Sequence, residues 1–121
     1  MPSGYFDCFA GVAGDMILGA LCDAGLPFAH LTRELKKLPI RGYGLARETA
    51  RRGALGGTKI DVRAHFHDGA HGERSYRSIH RLIGQSRLAR PIRALAQEIF
   101  YRLARAEARA HRIPVDRVHF H

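Results

Sequence analysis

Asp7-Cys8-Phe9-Ala10-Gly11-Val12-Ala13-Gly14-Asp15-Met16 is the stretch on which the reading of this chain turns. Tyr5-Phe6 leads into it, and an apolar pattern of helical period leads out from Met16. Between them lie Gly11 and Gly14 with the small residues Ala10 and Ala13. That order predicts strand, tight loop, helix. Glycine lets a backbone turn sharply and approach a ligand, and the unpaired N–H groups of a helix start attract anions. Asp7 is then expected at the strand end and Asp15 near the helix N-terminus, where a carboxylate is electrostatically favoured. The sequence is neither a P-loop nor a G-x-G-x-x-G fingerprint. A plain strand-to-helix turn, with Asp15 as a capping residue, accounts for the same residues.

Working outward, the chain has 121 residues, enough for one small domain with its own core. No apolar run reaches membrane-spanning length, and the apolar segment 8–28 is interrupted by Asp15 and Asp23. Cys8 and Cys22 form no C-x-x-C pair, which fits free thiols and a cytoplasmic, reducing compartment. The formal net charge is +9, yet residues 1–32 carry three aspartates and no Lys or Arg. All 20 basic residues follow from Arg33 onward. Such a surface attracts anions. Without interleaved aromatics or a groove-reading motif it gives no specific nucleic-acid binding.

The periodicities are mostly legible. Ile17, Ala20, Leu21 and Ala24 form a helical stripe closed by Gly25, and Phe28, Leu31, Leu35 and Leu38 form a second after Pro27. Residues 43–49 and 58–66 read as an antiparallel strand pair joined through Gly53, Gly56 and Gly57. Ile60, Val62, Ala64 and Phe66 share one face of it. Ser75 is expected to cap a helix that buries Tyr76, Ile79, Leu82 and Ile83. Pro91 is expected to open the longest helix, with Ile92, Leu95, Ala96, Ile99, Leu103, Ala106 and Ala110 as its apolar stripe. The expected fold is therefore a small α/β or α+β domain. It has one mixed sheet of about three strands and four helices, in the order β-α-α-β-β-α-α.

Eight histidines is a high count for this length. His65 with His67, His71 in the following loop, and His119 with His121 are the groups of interest. A His-x-His on an extended segment turns both rings to one side, and imidazole suits nickel, zinc and copper. Two such pairs converging would make a metal site, whereas any one histidine is equally a surface imidazole.

Taken together, the residues resemble a known family. Tyr5 through Leu21 is similar to the opening of the nickel-insertion proteins of the nickel-pincer nucleotide pathway (the LarC family). The likeness continues through Leu31-Thr32-Arg33-Glu34-Leu35 and Gly53-Ala54-Leu55-Gly56-Gly57-Thr58-Lys59-Ile60-Asp61-Val62. It closes with Ala106-Glu107-Ala108 and Val115-Asp116-Arg117-Val118-His119-Phe120-His121. The resemblance implies CTP-dependent insertion of nickel, aided by Mg or Mn, into pyridinium-3,5-bisthiocarboxylic acid mononucleotide. The product is the cofactor of lactate racemase, in which nickel is bonded to a ring carbon and two sulfurs.

It also implies that residues 1–121 form one domain, the N-terminal part of a longer architecture whose C-terminal CTP-binding domain is a missing or separate partner. On this reading His119 and His121, with His65 and His67, carry nickel. Asp7, Gly11, Gly14 and Asp15 form the loop that meets the nucleotide phosphate. The two carboxylates would do so only through a cation or backbone N–H groups. Catalytic residues are not assigned. The alternatives are a non-catalytic nickel-binding or metallochaperone module and, further off, a basic nucleic-acid-binding domain.

Overall fold

The computed structural model describes residues 3–64 and 74–120. The architecture is mixed α+β, with four α-helices and two small antiparallel sheets among the described residues. It divides into two compact units, Met1–Leu31 with Tyr43–Ala64 and Thr32–Gly42 with His65–His121. The division falls inside the second helix, α2 (Phe28–Leu35).

In the first unit, α1 (Gly14–Asp23) covers part of a hairpin of β1 (Tyr43–Arg52) and β2 (Leu55–Ala64). The hairpin register runs from Tyr43 opposite Ala64 to Arg52 opposite Leu55. Its two-residue turn begins with Gly53 at φ 60°, the positive φ that hairpin turns of matching twist require. At Gly19 a Cβ would overlap the Thr58 carbonyl oxygen. The absence of a side chain there is what lets α1 lie directly on β2. Beneath it, Ile60 is 1% exposed and Cys22 is buried. The helix closes as the sequence predicts. Gly25 adopts φ 104°, its N–H donates to Cys22 O at 3.1 Å, and Leu26 N–H donates to Leu21 O at 2.9 Å.

The sheet is arranged differently from the expectation. Residues 4–7 are not a strand, and β1 and β2 pair only with each other. Among the described residues there are, instead of one mixed sheet, two two-stranded antiparallel sheets. Apolar character at Tyr5 and Phe6 does not suffice, because a strand exists only where its N–H and C=O groups pair with a neighbour, and residues 4–7 pair with none among the described residues. Tyr5 is 91% exposed.

The second unit is built on α3 (Tyr76–Gly84) and α4 (Arg90–His111). Ser75 caps α3 as predicted, its hydroxyl accepting from Ser78 N–H at 3.1 Å. Pro91 lies in the first turn of α4. After α4 the chain reverses at Arg112, φ 53°, and passes through a 3-10 turn (Val115–Arg117). It ends in β4 (His119–Phe120), which pairs with β3 (Arg74–Ser75). Side chains of α4 also close the end of α3: Gln97 Nε2 donates to His80 O at 3.0 Å and Arg93 Nη1 to Gly84 O at 3.1 Å.

The buried face of α4 is not the predicted stripe. Ala104 and Ala108 are buried with Val118, and Tyr76, Val115 and Phe120 flank them. Ile92, Leu95, Ile99 and Leu103 are exposed. Shape decides this. Two alanines four residues apart leave a shallow groove that the returning Val118 fills, whereas the bulkier stripe has no complementary surface among the described residues.

Candidate functional site

The opening loop forms a turn, with the N–H of Gly11 donating to Cys8 O at 2.9 Å. Gly11 takes φ 80°, a conformation that favours glycine. Gly14 is the first residue of α1, and Asp15 Oδ1 accepts from Met16 N–H at 2.9 Å within the first turn. Asp7, Gly11, Gly14 and Asp15 are all exposed. The loop and helix start stand where the sequence puts them, but Asp7 is not at a strand end. Cys8 is exposed and Cys22 buried, both as free thiols.

Of the histidine pairs, His119 lies within the described residues, while His65, His67, His71 and His121 lie outside them. His119 is exposed on β4, in register with Ser75. Its neighbour Phe120 turns inward and meets the Phe100 ring edge-on at 5.8 Å. Strand alternation therefore aims His119 away from the apolar cluster. Among the described residues no three His, Cys, Asp or Glu side chains group closely enough to hold a metal ion.

Next to His119 the structure presents a feature that sequence reasoning missed. A hollow of about 510 Å³ is lined by Tyr76, Arg77, His80 and Arg81 of α3 and by Asp116 of the 3-10 turn. Tyr76 and His80, one helical turn apart, tilt towards each other at 5.8 Å between ring centroids. Arg77 Nη2 pairs with Asp116 Oδ2 at 3.0 Å. Burial, with smaller effects from Tyr101, Asp116 and Glu98, raises the Tyr76 phenol above its ordinary 10.0, so it stays protonated at neutral pH. Tyr76 N–H donates to Val118 O at 2.9 Å, which ties the start of α3 to the residue just before β4. The sequence signal for the hollow was the 76/80 and 77/81 spacing on one helix.

A second missed contact is the clamp from Asp23. Its Oδ1 accepts from the Thr58 hydroxyl at 2.6 Å and its Oδ2 from Thr58 N–H at 2.9 Å. Hydroxyl and backbone donation from Thr58, with a smaller contribution from Arg47, hold the Asp23 carboxyl below its ordinary 3.8.

The model of the nickel insertion protein family matches residues 4–121. A putative nickel insertion protein of Syntrophobacter fumaroxidans is 50% identical over 121 residues, all of this chain and 30% of the relative. One from Geobacter sp. is 46% identical, again over all of this chain and 31% of the relative. A Geobacillus kaustophilus protein is 41% identical over 97% of this chain and 30% of its own length. It is named pyridinium-3,5-bisthiocarboxylic acid mononucleotide nickel insertion protein. The chain thus spans about 30% of the length of these curated relatives. No solved structure matches it.

Proposed function

The chain belongs to the nickel insertion protein family, and we propose that it contributes nickel-handling and nucleotide-facing residues to nickel insertion into pyridinium-3,5-bisthiocarboxylic acid mononucleotide. The observation that carries the proposal is the Geobacillus kaustophilus relative of that name, 41% identical across 97% of this chain. Nickel is here a substrate, passed to the nucleotide and not retained.

His119 supports this reading because it is exposed on a strand that an internal ladder holds in register. An exposed imidazole there can reach a divalent ion, and His121, His65 and His67 are the further ligands proposed. Proton competition for these rings makes nickel affinity fall as the pH is lowered. Asp7, Gly11, Gly14 and Asp15 are proposed to face the nucleotide phosphate, through the N–H groups of the α1 start or a bridging cation. As nickel bonds to a ring carbon and two sulfurs, one ring proton must leave. CTP with Mg or Mn belongs to the proposed activity of the longer family members.

Nickel titration of four proteins tests the assignment: the parent, His119→Ala/His121→Ala, His65→Ala/His67→Ala, and the quadruple variant. The tail pair is expected to weaken binding about tenfold or more. If the tail variant binds like the parent while the 65/67 variant loses the ion, the tail is not the site. Nickel that binds but never appears in the mononucleotide by mass spectrometry would favour the metallochaperone reading.

A further inference from the structure

We propose that the exposed face of α4 is a docking surface for an acidic amphipathic helix, supplied by the part of the longer family proteins that this chain does not span. Such docking depends on membership of the family alone, not on the nickel and nucleotide roles proposed above.

Ile92, Leu95, Ile99 and Leu103 recur every three or four residues, so they share one face of α4. The row runs for about 17 Å along the helix, and its side chains are between 46% and 63% exposed. The opposite face is occupied, with Ala104 and Ala108 against Val118. A helix that is apolar on two faces calls for a partner on each, and among the described residues only the alanine face is buried.

One edge of the row is basic. Arg102 and Arg109, seven residues apart, stand in line along it, with Arg102 three residues past Ile99. Glu98 is the carboxylate on that edge, and it already accepts from Arg102 Nε at 2.7 Å. Past the helix end Arg112 and Ile113 join Arg109 around a hollow of about 380 Å³, so basic and apolar groups continue together. The charge of the unit agrees. The helical unit holds 15 Lys and Arg against 6 Asp and Glu, whereas the hairpin unit holds 5 of each. The whole formal +9 therefore lies in the helical unit.

These features select the occupant. An apolar row with a basic edge complements a helix that has aliphatic residues at three- and four-residue spacing and carboxylates along one side. A second copy fits poorly, because it would bring two strongly positive units together. Four aliphatic side chains also fall short of the roughly 1,000 Å² that a free-standing interface needs. A segment of the same polypeptide meets no such threshold, since its tether supplies the effective concentration. The relatives have room for one, as the chain spans about 30% of their length.

Hydroxyl-radical footprinting with mass spectrometry tests the face. It is applied to this chain alone and to a hybrid in which this chain replaces the segment it matches in the Syntrophobacter fumaroxidans relative. The chain alone should be labelled at Ile92, Leu95, Ile99 and Leu103. In the hybrid those positions should be labelled about fivefold less, because packing at an interface core is as dense as in a protein interior. Tyr101, on the other side of α4, is the reference and should be labelled equally in both. Arg102→Glu/Arg109→Glu in the hybrid should recover most of the labelling, and Arg102→Lys/Arg109→Lys should not. If the hybrid does not fold, the unaltered relative is footprinted at its aligned positions, where the same protection is expected.

An unprotected row in the hybrid, or in the unaltered relative where that is used, would overturn the proposal. So would a row already protected in this chain alone, with a doubled mass by light scattering identifying a second copy as the occupant. Protection that survives Arg102→Glu/Arg109→Glu would overturn the acidic chemistry assigned to the occupant.

Discussion

The two units solve the same packing problem with opposite chemistry. In each, a helix omits side-chain volume so that another segment can come close: Gly19 beneath Thr58 in the hairpin unit, Ala104 and Ala108 beneath Val118 in the helical unit. The hairpin unit then fastens the contact with a carboxylate, since Asp23 accepts twice from Thr58. The helical unit fastens it with an apolar plug, Val118, which is 1% exposed. Both contacts should therefore answer to volume, and only the first to protons as well. Within the helical unit, Val118 directly precedes His119, and its carbonyl accepts from Tyr76 N–H.

Breaking the hairpin contact by volume should give the largest effect. Gly19→Ala places a methyl on a backbone oxygen, which no rotamer can relieve, and should destabilise the hairpin unit by about 3 kcal/mol. Hydrogen exchange should quicken across β1 and β2 and stay unchanged in α3 and α4. Equal quickening in both units would erase the distinction between them.

Val118→Ala is the counterpart in the helical unit. Loss of two buried methylene equivalents plus the residual cavity should reduce stability by about 2 kcal/mol. Here the fast-exchanging amides should be those of α3, α4 and β4. Because Tyr76 packs against the same cluster, the start of α3 should loosen with it.

A smaller effect is expected at the start of α3. Ser75→Ala removes the acceptor for Ser78 N–H and should lower stability by about 1 kcal/mol. Ser75→Asp, which retains an acceptor, should restore it. No recovery with Asp would mean that the β3 pairing of Ser75, not its cap, sets the loss.

The last test changes a slope more than a height. The Asp23 carboxyl is held below its ordinary 3.8 by the Thr58 hydroxyl first and the Thr58 N–H second. A lowered folded-state value means that the unfolded chain takes up its proton first as the pH drops. The stabilisation is then complete above the unfolded value and disappears as the pH falls through the lowered folded one. Thermal unfolding followed from pH 7 to pH 3 should show this acid loss in the hairpin unit. Asp23→Asn should flatten it. An unchanged acid profile in that variant would assign the loss to other carboxylates, with Asp61, lowered mainly by its hydrogen bond from Arg63, the first to examine.

The local codes of this chain were legible in its sequence. Gly25 ends α1, Ser75 caps α3, Pro91 opens α4, and the alternation around Ile60 forecast the hairpin. Each is decided within a few residues, by a φ angle, a missing N–H or a side-chain acceptor. The stretches from Tyr5 to Leu21 and from Val115 to His121 likewise pointed to the family whose model matches residues 4–121. What only the tertiary structure decided is which surfaces meet. It left 4–7 without a strand partner, turned Ala104 and Ala108 of α4 inward in place of Ile92, Leu95 and Ile99, and joined Asp23 to Thr58 across 35 residues. It also set Asp116 opposite Arg77, forming a hollow along α3. Hydrophobic period ranks residues by transfer free energy, but contact between elements is chosen by complementary shape and by pairing of distant polar groups. Neither is encoded in the spacing along a single segment.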